Sequence, residues 1–236
     1  MKRRSIATIR TARIAALLLA LAGILAAQDF TVRMKDQDGK TAIHYVSRNA
    51  VRNVASNPID TDVIYRLDTG KIIRLDHKTK TYNETTLAEV RQQAEKNRGS
   101  MSEQQNVMRR LGMSGAVTVT KVGPGETIAG YATERYSTKT PITQGEVWVA
   151  PALDAPAAYY DMSTSDAAAQ LGSMGQIVKD LRAQQAKGFI LKLTGTANMP
   201  MAKGISFTQV ATSVEKGAIP PSTFEPPVGY RKVSPE

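Results

Sequence analysis

A mainly β, α+β fold is what this sequence predicts: an antiparallel sheet with helices packed against it. Two observations carry that expectation. Apolar and polar residues alternate with period two in several short runs separated by tight turns, the pattern of a β-meander. One late segment instead repeats its apolar residues at spacings of three and four, which marks a helix with a narrow apolar stripe. No repeat of solenoid period is present. With no cysteine among 236 residues, the core must hold the fold without disulfides.

The first 27 residues predict a cleaved signal peptide. Lys2, Arg3, Arg4, Arg10 and Arg13 form a basic start, Ile14 to Leu25 is an apolar run, and Ala26-Ala27 precede polar Gln28-Asp29. That run is shorter than the roughly 20 residues of a membrane span. Ser5-Ile6-Ala7 is a poor continuation of a twin-arginine signal, and no cysteine near the cut offers a lipid site. The alternative is an uncleaved amphipathic anchor. Cleavage after Ala27 removes five of the 31 Lys and Arg, leaving 26 against 21 Asp and Glu, a net charge of about +5. The remaining basic residues are dispersed, so nucleic acid is not an expected partner. A soluble, periplasmic, monomeric product is expected, with residues 28–236 as a single β-rich domain.

Along that domain, Phe30, Val32 and Met34 alternate with polar neighbours, Gln37-Asp38-Gly39-Lys40 turns the chain, and Thr41 to Ser47 resumes a strand. Val63, Tyr65 and Leu67 alternate next. Thr69-Gly70 leads into Lys71 to Leu75, and Asp76 to Lys80 into Thr81-Tyr82-Asn83. Thr86-Leu87-Ala88-Glu89 fits a capping box and opens a helix to Arg98, ended by Gly99. The stretch at about 86–115 is read as a helical or mobile excursion, with Ser102 to Leu111 as a second short helix or a loop. Strands are expected at Ala116–Lys121, Thr127–Thr138 and Glu146–Ala150. A helix follows at about 163–187, opened by Ser163 and Asp166 and striped by Leu171, Met174, Val178 and Leu181. Phe189–Thr196 and Ile205–Val214 are the last strands. The proline-rich tail from about 219 is expected to be pinned to the sheet by Phe224 and Tyr230.

Three of these segments, taken in order, carry a family pattern. Ile128 to Tyr136 reads IAGYATERY, Glu146 to Ala150 reads EVWVA, and Phe224 to Lys232 reads FEPPVGYRK; Lys80-Thr81-Tyr82 fits as well. Together they resemble exported bacterial proteins of the DUF4412 type, over roughly Phe30 to Lys232. That family is similar in layout to the lipoprotein-carrier (LolA/LolB-like) superfamily. The resemblance implies a curved antiparallel sheet or incomplete barrel, covered on one side by helices, around a hydrophobic cavity. It implies no activity. On the residues alone, Gly130 serves close packing or a bulge, and Trp148 is core or cavity wall.

Catalytic chemistry finds no footing. There is no cysteine nucleophile, and Gly172-Ser173-Met174-Gly175 lacks the spacing of a nucleophile elbow. His44 and His77 lie far apart without metal spacing, so neither metal nor cofactor is expected. His77 beside Asp76 reads as a solvated turn residue. The pairs Asp36/Asp38 and Asp60/Asp62 read as turn markers. Met101, Met108, Met113, Met162, Met174, Met199 and Met201 suit an adaptable apolar surface, or the filling of a core.

The function expected is therefore a non-enzymatic binding protein that holds a lipid, acyl chain or lipidated peptide between sheet and helix. Tyr131, Trp148, Leu171 and Met174 are the expected lining, and peripheral contact with an anionic membrane surface fits the mild positive charge. The alternative is an envelope module that binds a protein partner through a sheet edge or residues 92–115.

Overall fold

The computed structural model describes residues 29–55, 61–96, 117–170, 183, 186–199 and 202–235. They form one open, curved sheet of twelve strands. The strands are β1 (Phe30–Asp36), β2 (Thr41–Val46), β3 (Ala50–Ala55), β4 (Thr61–Arg66), β5 (Lys71–Asp76), β6 (Thr81–Thr86), β7 (Thr118–Pro124), β8 (Glu134–Lys139), β9 (Thr143–Ala150), β10 (Phe189–Met199), β11 (Ala202–Lys216) and β12 (Arg231–Lys232). Two helices, α1 (Leu87–Lys96) and α2 (Ala157–Gln170), interrupt the order. The sheet runs β12-β6-β5-β4-β3-β2-β1-β11-β10-β9-β8-β7, antiparallel throughout except for the short parallel contact of β12 with β6.

Local chemistry accounts for most element ends. Asp36 closes the first hairpin, its Oδ1 accepting from the backbone N–H of Asp38 (3.0 Å) and Lys40 (2.8 Å), while Gly39 takes φ +81°. The predicted capping box forms: the Glu89 carboxylate accepts from the Thr86 N–H at 2.6 Å, and the Glu89 N–H donates to Thr86 Oγ1 at 3.2 Å. Those bonds hold the Glu89 carboxyl below its usual pKa.

Curvature is visible in the aromatic contacts. Phe189 on β10 and His44 on β2 are three strand spacings apart, about 14 Å in a flat sheet. Their ring centroids are 5.5 Å apart, and Phe189 also meets Phe30 edge-on at 5.6 Å. The face carrying these rings is therefore concave. Register shifts at Arg33/Met34, Ile190/Lys192 and Lys121/Gly123 supply part of the bend. Gly145 and Gly195 supply another part, paired directly across β9 and β10. A Cβ on Gly145 would lie 2.1 Å from the Thr194 carbonyl oxygen, and one on Gly195 2.5 Å from the Phe207 ring. Only glycine allows the two backbones to approach so closely.

The main core lies on the concave face and contains Phe30, Val32, Val46, Val51, Tyr65, Ile72, Trp148, Phe189 and Leu191, capped by Tyr159 and Met162 of α2. Two smaller clusters lie elsewhere. One contains Val119, Tyr136, Val147 and Val149; the other contains Ala50, Ile64, Ile73 and Leu75, closed by Phe224 of the tail.

Three expectations need correction. The helix expected from Ser163 begins at Ala157, because Tyr159 and Met162 already point into the core. Ser163 is not its cap; its hydroxyl and that of Thr164 both donate back to the Tyr160 carbonyl, as mid-helix hydroxyls do. The strand expected over Thr127–Thr138 starts only at Glu134, since residues 128–131 form a tight turn. Strand β3, whose AVRNVA sequence mixes small, apolar and polar residues, is not signalled by any alternation. The Leu171–Leu181 stripe, the Ser102–Leu111 segment and most of the methionines lie outside the described residues.

Candidate functional site

The concave face is roofed by separate pieces rather than by a second sheet. One piece is a flap over residues 125–133 between β7 and β8. At its tip Ile128 and Tyr131 exchange two backbone hydrogen bonds of 2.9 Å each. Ala129 (φ +48°) and Gly130 (φ +84°) are both left-handed, the conformation of a two-residue type I′ turn. The family-like IAGY motif is thus a turn whose Ile128 is buried in the main core. At the stalk, the Thr133 hydroxyl donates to the Glu126 carbonyl at 2.6 Å, and the Gly125 N–H donates to the Thr133 carbonyl at 2.8 Å.

Of the four residues expected to line a site, Trp148 packs against this flap and Tyr131 belongs to it. Trp148 is 7% exposed and packs so tightly on Gly125 that a Cβ there would lie 2.6 Å from its ring. The Lys192 ammonium sits 4.4 Å from the Trp148 ring centre and pairs with Glu126 on the flap. Arg135, Trp148 and Lys192 form one row across β8, β9 and β10. Tyr131 is half-buried against the main core, with the Lys216 ammonium 5.3 Å from its ring centre. Leu171 and Met174 lie outside the described residues.

The floor beneath the roof was not foreseen. One cross-strand row, Val214–Val32–His44–Asn53–Val63–Arg74–Asn83, runs over seven strands from β11 to β6. The adjoining row, Phe30–Val46–Val51–Tyr65–Ile72, is wholly buried. In the Val214–Asn83 row every residue but Val32 keeps accessible surface, although these strands lie inside the sheet. The row is therefore incompletely covered by what packs over it. Its roof touches the floor at Tyr159, which accepts a hydrogen bond from Asn53 Nδ2 at 3.3 Å and meets Tyr65 edge-on at 5.5 Å. Leu87 and Val90 of α1, half-buried, pack against the same cluster.

The row carries polar groups into this apolar setting. His44 Nδ1 and Asn53 Oδ1 are 2.9 Å apart. Burial lowers the His44 pKa below 6.5, against a smaller upward pull from Asn53. Asn83 Oδ1, in the same row, is buried without a partner among the described residues. Arg74 is engaged.

A consequence follows for stability. Because folding lowers the His44 pKa, the unfolded chain binds the extra proton more readily, and stability falls as pH drops below about 6.5. Melting temperature followed from pH 7.5 to 5.5 should decline more steeply for the unsubstituted protein than for His44→Gln. Parallel slopes would exclude His44 as the cause.

A second concavity, about 420 Å³, lies on the other side of the sheet under the tail, lined in part by Arg66, Lys71, Tyr82, Glu84 and Tyr230. Most of its charges are met internally: Arg66 pairs with Asp68, and Lys71 and Lys232 pair with Glu84. Beside it is a buried ionic cluster that corrects two expectations from the sequence. Asp62 is no turn marker; it lies in β4 with its side chain 3% exposed and accepts from Arg52 Nε at 2.9 Å. His77 is no solvated turn residue; its Nε2 lies 3.1 Å from Asp62 and its Nδ1 2.6 Å from the Tyr230 hydroxyl. Arg52 Nη1 also donates to the Thr223 carbonyl at 3.0 Å, so the cluster ties the tail to the sheet as Phe224 and Tyr230 were expected to do. Among the described residues, no group of three or more His, Cys, Asp or Glu is placed to hold a metal, and no helix is long and apolar enough to cross a membrane.

A family model described as "Domain of unknown function (DUF4412)" matches residues 26–230. A search of curated proteins returns no match. Among solved structures, an uncharacterized conserved protein from Thermus thermophilus is similar with a TM-score of 0.46 at 6% identity, covering 94% of this chain and 99% of that one. MucB is similar with a TM-score of 0.39 at 12% identity, covering 93% of this chain and 65% of that one. The complex of Pseudomonas aeruginosa MucA/MucB gives 0.40 at 13% identity, covering 90% of this chain and 60% of that one.

Proposed function

We propose a function for this chain, which belongs to the DUF4412 family: it is an exported, non-enzymatic binding protein of the periplasm that holds an apolar or amphiphilic ligand in the cleft of its concave face. The observation that carries this reading is the Val214–Asn83 row, whose residues keep accessible surface on interior strands under a roof. Two of those residues, Val63 and Val214, are apolar and half-covered, a hydrophobic cost that a ligand removes at about 0.8 kcal/mol per buried methylene. The roof suits entry and release. The flap tip is a two-residue turn, and an ion pair between Glu126 and Lys192 joins its stalk to β10. A partly exposed pair of this kind contributes at most about 1 kcal/mol. The N-terminal segment, read as a signal peptide, supports the compartment.

The test is native mass spectrometry of protein purified from a periplasmic extract, with lipid analysis of its solvent extract. Trp148, the single tryptophan of the chain, reports uptake by its emission. A recurring discrete lipid mass is expected, together with an emission change when the stripped protein is given a fatty acid or phospholipid. A clean ligand-free mass, with unchanged emission after those additions, would overturn the reading.

A further inference from the structure

We infer that the cleft selects an apolar chain ending in an uncharged hydrogen-bond donor, a hydroxyl or an amide N–H, and that His44 is the residue that reads it. This rests on the binding reading above and specifies the ligand chemistry of the same site. His44 lies in the Val214–Asn83 row, between Val32 and Asn53, with its ring edge-on to Phe189. The Asn53 amide decides what the ring offers. Its Nδ2 donates to the Tyr159 hydroxyl oxygen, so its Oδ1 is the atom turned to His44 Nδ1, at 2.9 Å. An acceptor at that position requires the proton on Nδ1. The other nitrogen, Nε2, is then a bare lone pair.

Burial keeps the ring neutral at pH 7 to 8. Nε2 has no hydrogen-bond partner among the described residues, and His44 is only partly covered. Water is the partner left to that lone pair, and a ligand that covers the row must bring a donor to replace it. Asn83 Oδ1, a buried acceptor without a partner in the same row, makes a like demand. A carboxylate or phosphate end meets the opposite situation, since it brings acceptors to an acceptor and must shed its water. Cations do not reverse this: Arg74 of the row is already engaged, and Lys192 and Arg135 pair with Glu126 and Glu146.

The experiment titrates the full mature chain at pH 8 with four ten-carbon probes and follows Trp148 emission. The probes are decanol, N-decylacetamide, decyl methyl ether and decanoate. Decanol and the amide are expected to bind about tenfold more tightly than the ether, the worth of one hydrogen bond that also satisfies a buried acceptor. Decanoate is expected to bind no better than the ether. His44→Phe should remove the preference and leave the ether's affinity in place; the comparison of probes on the unsubstituted chain stands even if that variant does not fold. The stronger of decanol and the amide points to acylglycerol-like or acyl-amide ligands respectively. Equal affinity for decanol and ether, or a preference for ether or decanoate, would overturn the assignment of His44 while leaving the cleft intact. No emission change with any probe would overturn both.

Discussion

Asp62→Ala is expected to cost about 3–5 kcal/mol of folding stability, the penalty for removing one partner of a buried ion pair. The substitution leaves the Arg52 guanidinium, only 15% exposed, without its carboxylate, and leaves His77 Nε2 without its acceptor. The loss extends to the tail, because the same Arg52 holds the Thr223 carbonyl and the same His77 holds Tyr230. Urea denaturation measures the first effect. Limited proteolysis of residues 217–233 measures the second, which should quicken in parallel. Tyr230→Phe removes one hydroxyl from the end of this chain of contacts and should cost about 1 kcal/mol. If Asp62→Ala cost no more than Tyr230→Phe, the cluster would not be what fastens the tail.

Tyr159→Ala is expected to cost a similar amount, about 3–5 kcal/mol, by emptying a large aromatic volume from the core. Tyr159 is 9% exposed and is the point at which the roof helix meets the floor. Its removal takes away the edge-on contact with Tyr65 and the acceptor of the Asn53 amide. Tyr159→Phe keeps the ring and loses only the hydroxyl, so it should cost about 0.5–1.5 kcal/mol. Chemical denaturation of both variants separates packing from hydrogen bonding. A loss below about 1 kcal/mol for Tyr159→Ala would mean that α2 is not seated on the sheet.

Two aspartates show where the sequence was legible and where it was not. Asp36 and Asp62 have the same side chain, and each stands two positions from a second aspartate. Asp36 closes a turn with the N–H groups of Asp38 and Lys40, and that role could be read locally. The role of Asp62 depends on Arg52 across a strand pair and on His77, which in turn depends on Tyr230, 153 residues further along. Nothing near Asp62 signals those partners. Trp148 could be read as core or cavity wall because aromatic residues usually fill interiors, and it packs in the main core. His44 and Asn53 could not, since a lone histidine and a lone asparagine gain meaning only once register places them side by side. The helix start differs from expectation for a related reason: Ser163 and Asp166 imitate a cap, and only the packing of Tyr159 and Met162 pulls the start back to Ala157.

Much of what is set within a few residues could be read from the chain directly. That covers the β1–β2 hairpin and its aspartate turn, the β4–β5–β6 meander, the Thr86–Glu89 cap, and the docking aromatics of the tail. Alternation, turn chemistry and capping act over short separations, so their signals sit in contiguous residues. Long-range pairing alone set Gly145 against Gly195. It also placed Val214, His44 and Asn83 in one row. A row across a sheet is assembled from strands far apart in the chain, and its members meet through backbone register rather than through any pattern their neighbours carry.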